Sequence, residues 1–519
     1  MHETILCTVA PSPTNPGPGY ISVHDIQTGT SLASFKQNNA TSHCTASLES
    51  KNGLGGLVMS AQQDKSILNV YNFQKDQLAL KIVLPEKLTC IALDPSGDFC
   101  AGGSAQGRIY LWEIASGILY NAWHAHYRQV NVLRFTQDGA ALVSGSEDSA
   151  VSIWEMARLL DDELQNDLPT PYCILSDHTL PVTDILCGVG PFPSCRILSA
   201  SIDHSVKIWD PSTNTLLTTF SFPKPISHLA WDPTERIFFA ASSGAEGEVY
   251  QVNLFRRVNL GKGKGVIGSG GSRELEAIGG KGVSDVIRVG EEDDSEGNRK
   301  RLMTVGQQIT SLALSLTSTL LIVGTQAGTI NIYDVPSHQL VRSISSHKGL
   351  AITYLTTMLR PSDLVGHVNG SLGIGVSGGG GGEVAGMCGR VVVPFERSRD
   401  GKRREGHEVG MILPFLGTTN RIDPTDYPYS ELIVDHAFFV QPPSSTNVNS
   451  SQPNLQGKVT ELESEVKYLR EQLGKAKGVN DAMWENIVKK VVLKYDQAKE
   501  GEELSDQQLE ERRRKRGRS

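Results

Sequence analysis

Two groups of side chains in this sequence have the makings of a nucleophilic site. The first is His126, Ser144, Asp148 and Trp154; the second, in the same order, is His178, Ser199, Asp203 and Trp209. Serine, histidine and aspartate together can supply an attacking hydroxyl, the base that deprotonates it and the carboxylate that orients the base. A set that recurs in the same order within one chain points instead to a repeated structural unit. Other chemistry finds no foothold. Gly263-Lys264-Gly265-Val266-Ile267-Gly268 matches a dinucleotide-binding glycine pattern, but no βαβ unit surrounds it. The eight cysteines form no CxxC pair and have no regular spacing, so they read as buried thiols of a reducing compartment. No catalytic, cofactor-binding or metal-binding residue is assigned on this reading, and no cofactor is expected.

The elements that carry the first set run from His126 to Trp154, HYRQVNVLRFTQDGAALVSGSEDSAVSIW. VNVLRF alternates apolar and polar residues as a half-buried strand does. Gln137-Asp138-Gly139 turns it into a second strand, ALVSGS, and Glu147-Asp148-Ser149 leads to a third, AVSIW. Three short strands cannot bury their faces alone, so copies are required. Seven third strands are found: ISVHD, LNVYN, IYLWE, VSIWE, VKIWD, VYQVN and INIYD, ending at Asp25, Asn72, Glu113, Glu155, Asp210, Asn253 and Asp334. Most steps are 41 to 47 residues, with two longer ones of 55 and 81 that contain insertions. A four-stranded propeller blade takes roughly 40–45 residues.

This pattern resembles the WD40 family, whose full motif is present in the two repeats ending at Trp154 and Trp209. The resemblance implies an all-β, seven-bladed propeller, followed here by a C-terminal α-helical, coiled-coil extension. It also assigns each Asp, His, Ser and Trp to a hydrogen-bonded network that ties a blade together. Gln106 stands where the third blade should have its turn Asp, and Val252 replaces the sixth-blade aromatic, so those blades are expected to rely on apolar packing alone. No strand precedes ETILCTVA, and the missing first-blade strand is expected from HKGLAITYLTTML, residues 347–359. Such closure removes exposed sheet edges.

The expected organisation is a propeller over 1–420, an extended segment and linker over 421–454, helices over 455–500 and a basic tail over 501–519. Gly/Ser-rich, charged insertions at about 256–303 and 366–408 read as disordered, the first lying between blades six and seven. VVVPFER, VGMILPFL and SELIVDHAFFVQPP are apolar enough to return to the propeller. From Leu455 the period changes: Leu455, Val459, Leu462, Val466, Leu469 and Leu473 alternate steps of four and three. Val at a and Leu at d favour a parallel two-stranded coiled coil. Under three heptads is marginal alone, so a partner helix, here a second copy, is expected. A second amphipathic segment offers Met483, Trp484, Ile487, Val488, Val491 and Tyr495 as another docking face.

The net charge is −8, yet the chain ends in Arg512, Arg513, Arg514, Lys515, Arg516 and Arg518. A basic end on an acidic body reads as a nuclear localisation signal or an RNA-contacting arm. The start lacks the basic and apolar regions of a secretory signal, and no apolar run reaches the ~18 residues of a membrane span, so a soluble intracellular protein is expected.

The block LPEKLTCIALDPSGDFCAGGSAQGRIYLWE, with SVHDIQTGTSLASFK in the first blade and EVKYLREQLGKAKGVNDAMWENIV near the end, resembles one WD40 subfamily. It is the fungal pre-rRNA-processing propeller subunit of the rixosome-type complex, related to an animal WD-repeat protein. The resemblance implies a non-catalytic nuclear scaffold on pre-large-subunit ribosomal particles. Its implied roles are processing of the second internal transcribed spacer and recruitment of the midasin-type AAA ATPase. Its implied partners are a helical-repeat subunit of the complex, that ATPase, the ribosomal particle and a second copy of itself, with non-specific rRNA contact and no membrane. An adaptor in a chromatin, DNA-replication or ubiquitin-ligase complex is the alternative.

Overall fold

The computed structural model describes residues 2–11, 17–50, 55–161, 168–259, 273–279, 285–289, 302–364, 390–399, 407, 409, 410, 466, 467, 470 and 475. Among the described residues seven sheets, each with four antiparallel strands, make the blades of a propeller. All seven third strands lie where the repeat placed them, ending at Asp25, Asn72, Glu113, Glu155, Asp210, Asn253 and Asp334. The fourth blade shows the plan: Val130–Phe135 innermost, then Ala141–Ser146, Val151–Glu155 and Cys173–Leu175. Middle strands are covered on both faces, and Ala141–Ser146 is buried at every position. Outer strands keep one wet face, so Thr215–Ser221 in the fifth blade alternates buried and more exposed residues. The tight turns need left-handed backbone, supplied by Gly139 at φ 74° and, before the third strands, by Ser149 at 68° and His204 at 66°.

The ring closes as expected. Ala351–Leu359 pairs antiparallel with Glu3–Ala10, from Glu3 opposite Leu359 to Ala10 opposite Ala351 with a register shift between Thr8 and Val9, and becomes the innermost strand of the first blade. Blades bury their faces against each other rather than around one centre. Seven apolar clusters lie between neighbouring blades; that between the fourth and fifth holds Val132, Val143 and Ile153 against Ile185, Ile197 and Trp209. Among the described residues no helix is long and apolar enough to cross a membrane.

The first insertion departs from expectation. It falls inside the sixth blade, because that blade's outer strand is Leu302–Thr304, paired with Glu248–Asn253. Val286–Arg288 adds a fifth, parallel strand to the outer edge of the fifth blade, against Thr215–Ser221. Phe255–Asn259 and Arg273–Ala277 pair as a separate hairpin. Three-residue strands inside Gly-rich, charged sequence leave no periodic signal, and the edges they pair with supply the order.

The chain divides into two compact units, Met1–Gly417 and Thr418–Ser519. In the second, Val466, Lys467, Arg470 and Lys475 are helical and exposed. Leu455, Val459, Leu462, Leu469, Leu473 and the basic tail from Arg512 to Arg518 lie outside the described residues, as do the second docking face and SELIVDHAFFVQPP.

Candidate functional site

The structure brings the two serine–histidine–aspartate–tryptophan sets together. In the fourth blade His126 Nδ1 is 3.1 Å from Asp148 Oδ2, and its Nε2 is 2.8 Å from Ser144 Oγ. Trp154 Nε1 donates to that same Oγ at 3.0 Å. The fifth blade repeats the chain: His178 to Asp203 at 2.9 Å, His178 to Ser199 at 2.8 Å, and Trp209 Nε1 to Ser199 Oγ at 2.8 Å. If Nδ1–H of each histidine donates to its aspartate, the serine hydroxyl donates to Nε2. The order of donation then runs Trp to Ser to His to Asp. Backbone N–H groups of Tyr127 and Ala150 also donate to Asp148. Burial works against the Asp148 carboxylate, but His126 and these N–H groups outweigh it and hold it below the usual carboxylate range. Asp203 is held further down: His178, Ser205 and Thr179 together outweigh burial.

This connectivity is that of a hydrolytic triad without its access. Ser144 and Ser199 are 0% exposed, and each Oγ already accepts from an indole. A nucleophile must reach substrate; these join the outer part of a blade to its entry loop.

The first blade carries a substituted version that the sequence reading missed. Cys7 lies opposite Ser22 as Ser144 lies opposite Ser152, and His24 lies opposite Ile5 as Trp154 lies opposite Leu142. His347 precedes its strand Ala351–Leu359 by four residues, as His126 precedes Val130–Phe135. Cysteine thus takes the serine position and histidine the tryptophan position. His347 Nε2 is 2.8 Å from His24 Nε2 and 3.6 Å from Cys7 Sγ, and its Nδ1 is 2.7 Å from Tyr20 Oη, which replaces the aspartate. Burial pushes the Cys7 thiol up to about 12. The four-residue spacing before the strand was the available signal. It was obscured because the histidine lies more than 300 residues from its partners.

The third blade corrects the expectation of apolar packing alone. Gly102 occupies the serine position opposite Tyr110, so Trp112 has no hydroxyl to meet. Its Nε1 donates instead to the carbonyl of Glu396 at 3.0 Å. Phe395 stacks on Trp112 with ring centroids 5.2 Å apart. VVVPFER therefore does return to the propeller, but as an irregular strap held by Val393 N–H to Ile114 and Glu396 N–H to Gly117. Gly117 is required there, since a Cβ would sit 2.4 Å from the Pro394 oxygen. Val409 packs on the cluster between the third and fourth blades.

The innermost strands surround a cavity of about 340 Å³ that includes His43, Arg134, Asp184, His228, Ser311 and Thr353 in its lining. Arg134 and Asp184 approach to 3.6 Å, and the rings of His43 and His228 stack at 6.0 Å. Burial, aided by Arg134 and His228 and opposed by Asp184, pushes His43 down to about 4.

Comparison with known proteins is consistent with this architecture. The family described as "WD domain, G-beta repeat" matches residues 82–113, 117–155 and 169–210, within blades two to five. The chain is 34% identical over 508 residues to the pre-rRNA-processing protein IPI3 of Mycosarcoma maydis, covering 84% of this chain and 86% of that one. It is 30% identical to the pre-rRNA-processing protein crb3/ipi3 of Schizosaccharomyces pombe, covering 63% of this chain and 72% of that one. WD repeat-containing protein 18 of Homo sapiens is 27% identical over 86% of this chain and 91% of its own length.

Proposed function

The chain belongs to the WD40 family that includes fungal pre-rRNA-processing protein IPI3 and animal WD repeat-containing protein 18, and we propose that it serves ribosome biogenesis as a non-catalytic scaffold. The observation that carries this reading is the extent of the likeness, which runs over 84% of the chain to a relative whose name states pre-rRNA processing. The sealed serines support it from the side of chemistry, since the two triad-like sets found among the described residues are buried and hold blades together.

In the finer form of the proposal, the protein works in the nucleus on pre-large-subunit particles. It promotes processing of the second internal transcribed spacer and helps recruit a midasin-type AAA ATPase, with a helical-repeat protein on the propeller. Two copies pair through Leu455, Val459, Leu462, Val466, Leu469 and Leu473, which raises the effective concentration of propellers for the next partner. Val466, an apolar residue on this seam, is helical and 48% exposed, which suits a helix awaiting a partner. The basic tail adds attraction to rRNA phosphates that weakens steeply with salt.

The test is affinity purification of the tagged chain from its own cells at moderate salt, with mass spectrometry and RNA blotting. Large-subunit assembly factors together with spacer-containing precursor are the expected result. Clean recovery of ubiquitin-ligase, chromatin or replication-origin subunits without precursor rRNA would overturn the proposal.

A further inference from the structure

Cys7, His24 and His347 bring three ligand-capable atoms within 4.8 Å of one another, all in buried side chains. We propose that they form a binding site for one thiophilic transition-metal ion, zinc or copper, held by Cys7 Sγ and the Nε2 atoms of His24 and His347. The donor set is the first argument. One thiol and two imidazoles with no carboxylate suit zinc and copper and disfavour magnesium or calcium. Geometry is the second. Metal bonds of about 2.0–2.1 Å to nitrogen and 2.3 Å to sulfur place a nitrogen and a sulfur ligand roughly 3.6 Å apart, the separation seen between His347 Nε2 and Cys7 Sγ. The two Nε2 atoms, at 2.8 Å, need to open by about half an ångström for two such bonds. The outer contacts are the third. Tyr20 Oη lies 2.7 Å from His347 Nδ1, the kind of hydrogen bond that fixes a ligating ring and leaves its other nitrogen for the metal. Ser22 Oγ stands 2.8 Å from His24 Nε2, an additional oxygen at the same point.

The comparison within the chain sharpens the case. At the same two positions the fourth and fifth blades use serine and tryptophan, which bind such ions poorly; the first blade uses cysteine and histidine. Binding releases one proton, from the Cys7 thiol to solvent as the metal–sulfur bond forms. Both imidazoles stay neutral, each keeping its single N–H on Nδ1. The site also has a structural consequence, because Cys7 and His24 belong to the first two strands and His347 leads into the last. One ion would therefore staple the two ends of the ring and stabilise closure.

The full-length chain, purified without chelator, is assayed for bound metal by plasma mass spectrometry and then titrated with Co²⁺ after metal removal. About one zinc or copper per chain is expected, with a thiolate-to-cobalt charge-transfer band, both lost in Cys7→Ser and His347→Gln and kept in Cys195→Ser. Chelator should lower the melting temperature of the unsubstituted chain and leave that of Cys7→Ser unmoved. A folded, unsubstituted chain with no stoichiometric metal and no cobalt band would overturn the proposal and leave a hydrogen-bonded cluster. Should the variants fail to fold, the metal content and cobalt spectrum of the unsubstituted chain decide the matter alone.

Discussion

Ser144 shows why a residue's neighbours, and not its type, decide what it does. Its hydroxyl links Trp154 to His126, so Ser144→Ala leaves an indole N–H and an imidazole nitrogen without their partner in a dry interior. The expected cost is about 1–3 kcal/mol, read as a lower denaturant midpoint at unchanged slope. Acid should undo the same networks. Asp148 and Asp203 titrate below the unfolded value of 3.8, so their stabilisation is complete above about pH 5 and is lost progressively as pH falls further. The axial cavity adds a second, milder window. His43 is held down at about 4 against 6.5 unfolded, beside Asp184, Arg134 and His228. Between those values the unfolded chain binds the extra proton, so stability rises with pH, by at most about 1.4 kcal/mol per unit from this residue. His43→Gln should flatten the slope between pH 4 and 6.5 in denaturation series; an unchanged slope would remove His43 as its source. At this scale the fourth- and fifth-blade sets were legible, because each falls inside one repeat. The Cys7, His24 and His347 cluster was not, because closing the ring is what brings it together.

Elements were legible in proportion to their period. Every third strand could be placed, since alternation and a turn signal recur at the blade spacing. The short strands Val286–Arg288 and Leu302–Thr304 escaped, being three residues long and ordered by the edges they join. The strap around Phe395 was legible as apolar but not as to its site, where Phe395 stacks on Trp112 and the Glu396 carbonyl accepts its indole N–H. Phe395, 5% exposed, should behave as a core residue. Phe395→Ala is expected to cost about 3–5 kcal/mol and to raise amide exchange in the strand Arg108–Glu113; little change in either would mean the strap adds nothing to the blade. At the C-terminal helix, Leu462→Asp with Leu469→Asp should convert dimers to monomers in light scattering while the circular dichroism of the propeller persists. An unchanged mass would sink the pairing.

As a whole the molecule distributes its core between blades, and its stability depends on a ring without ends. Removing residues 2–11 takes away the strand that joins Gly19–Asp25 to Ala351–Leu359, leaving unpaired edges on both. Such a chain should aggregate on size exclusion; a monodisperse product would show that closure is dispensable. A closed ring with its polar networks turned inward is suited to presenting loops to partners, and fold alone does not say which. In the proposed role the propeller surface, and no buried serine, serves pre-rRNA processing. The decisive experiment depletes the chain in its own cells and restores it as the Ser144→Ala, Ser199→Ala variant, with RNA blotting for the second internal transcribed spacer. Depletion should accumulate spacer-containing precursors, and the variant, at matched folded abundance, should clear them. Precursors that never accumulate, or that persist with a fully folded variant, would overturn that role.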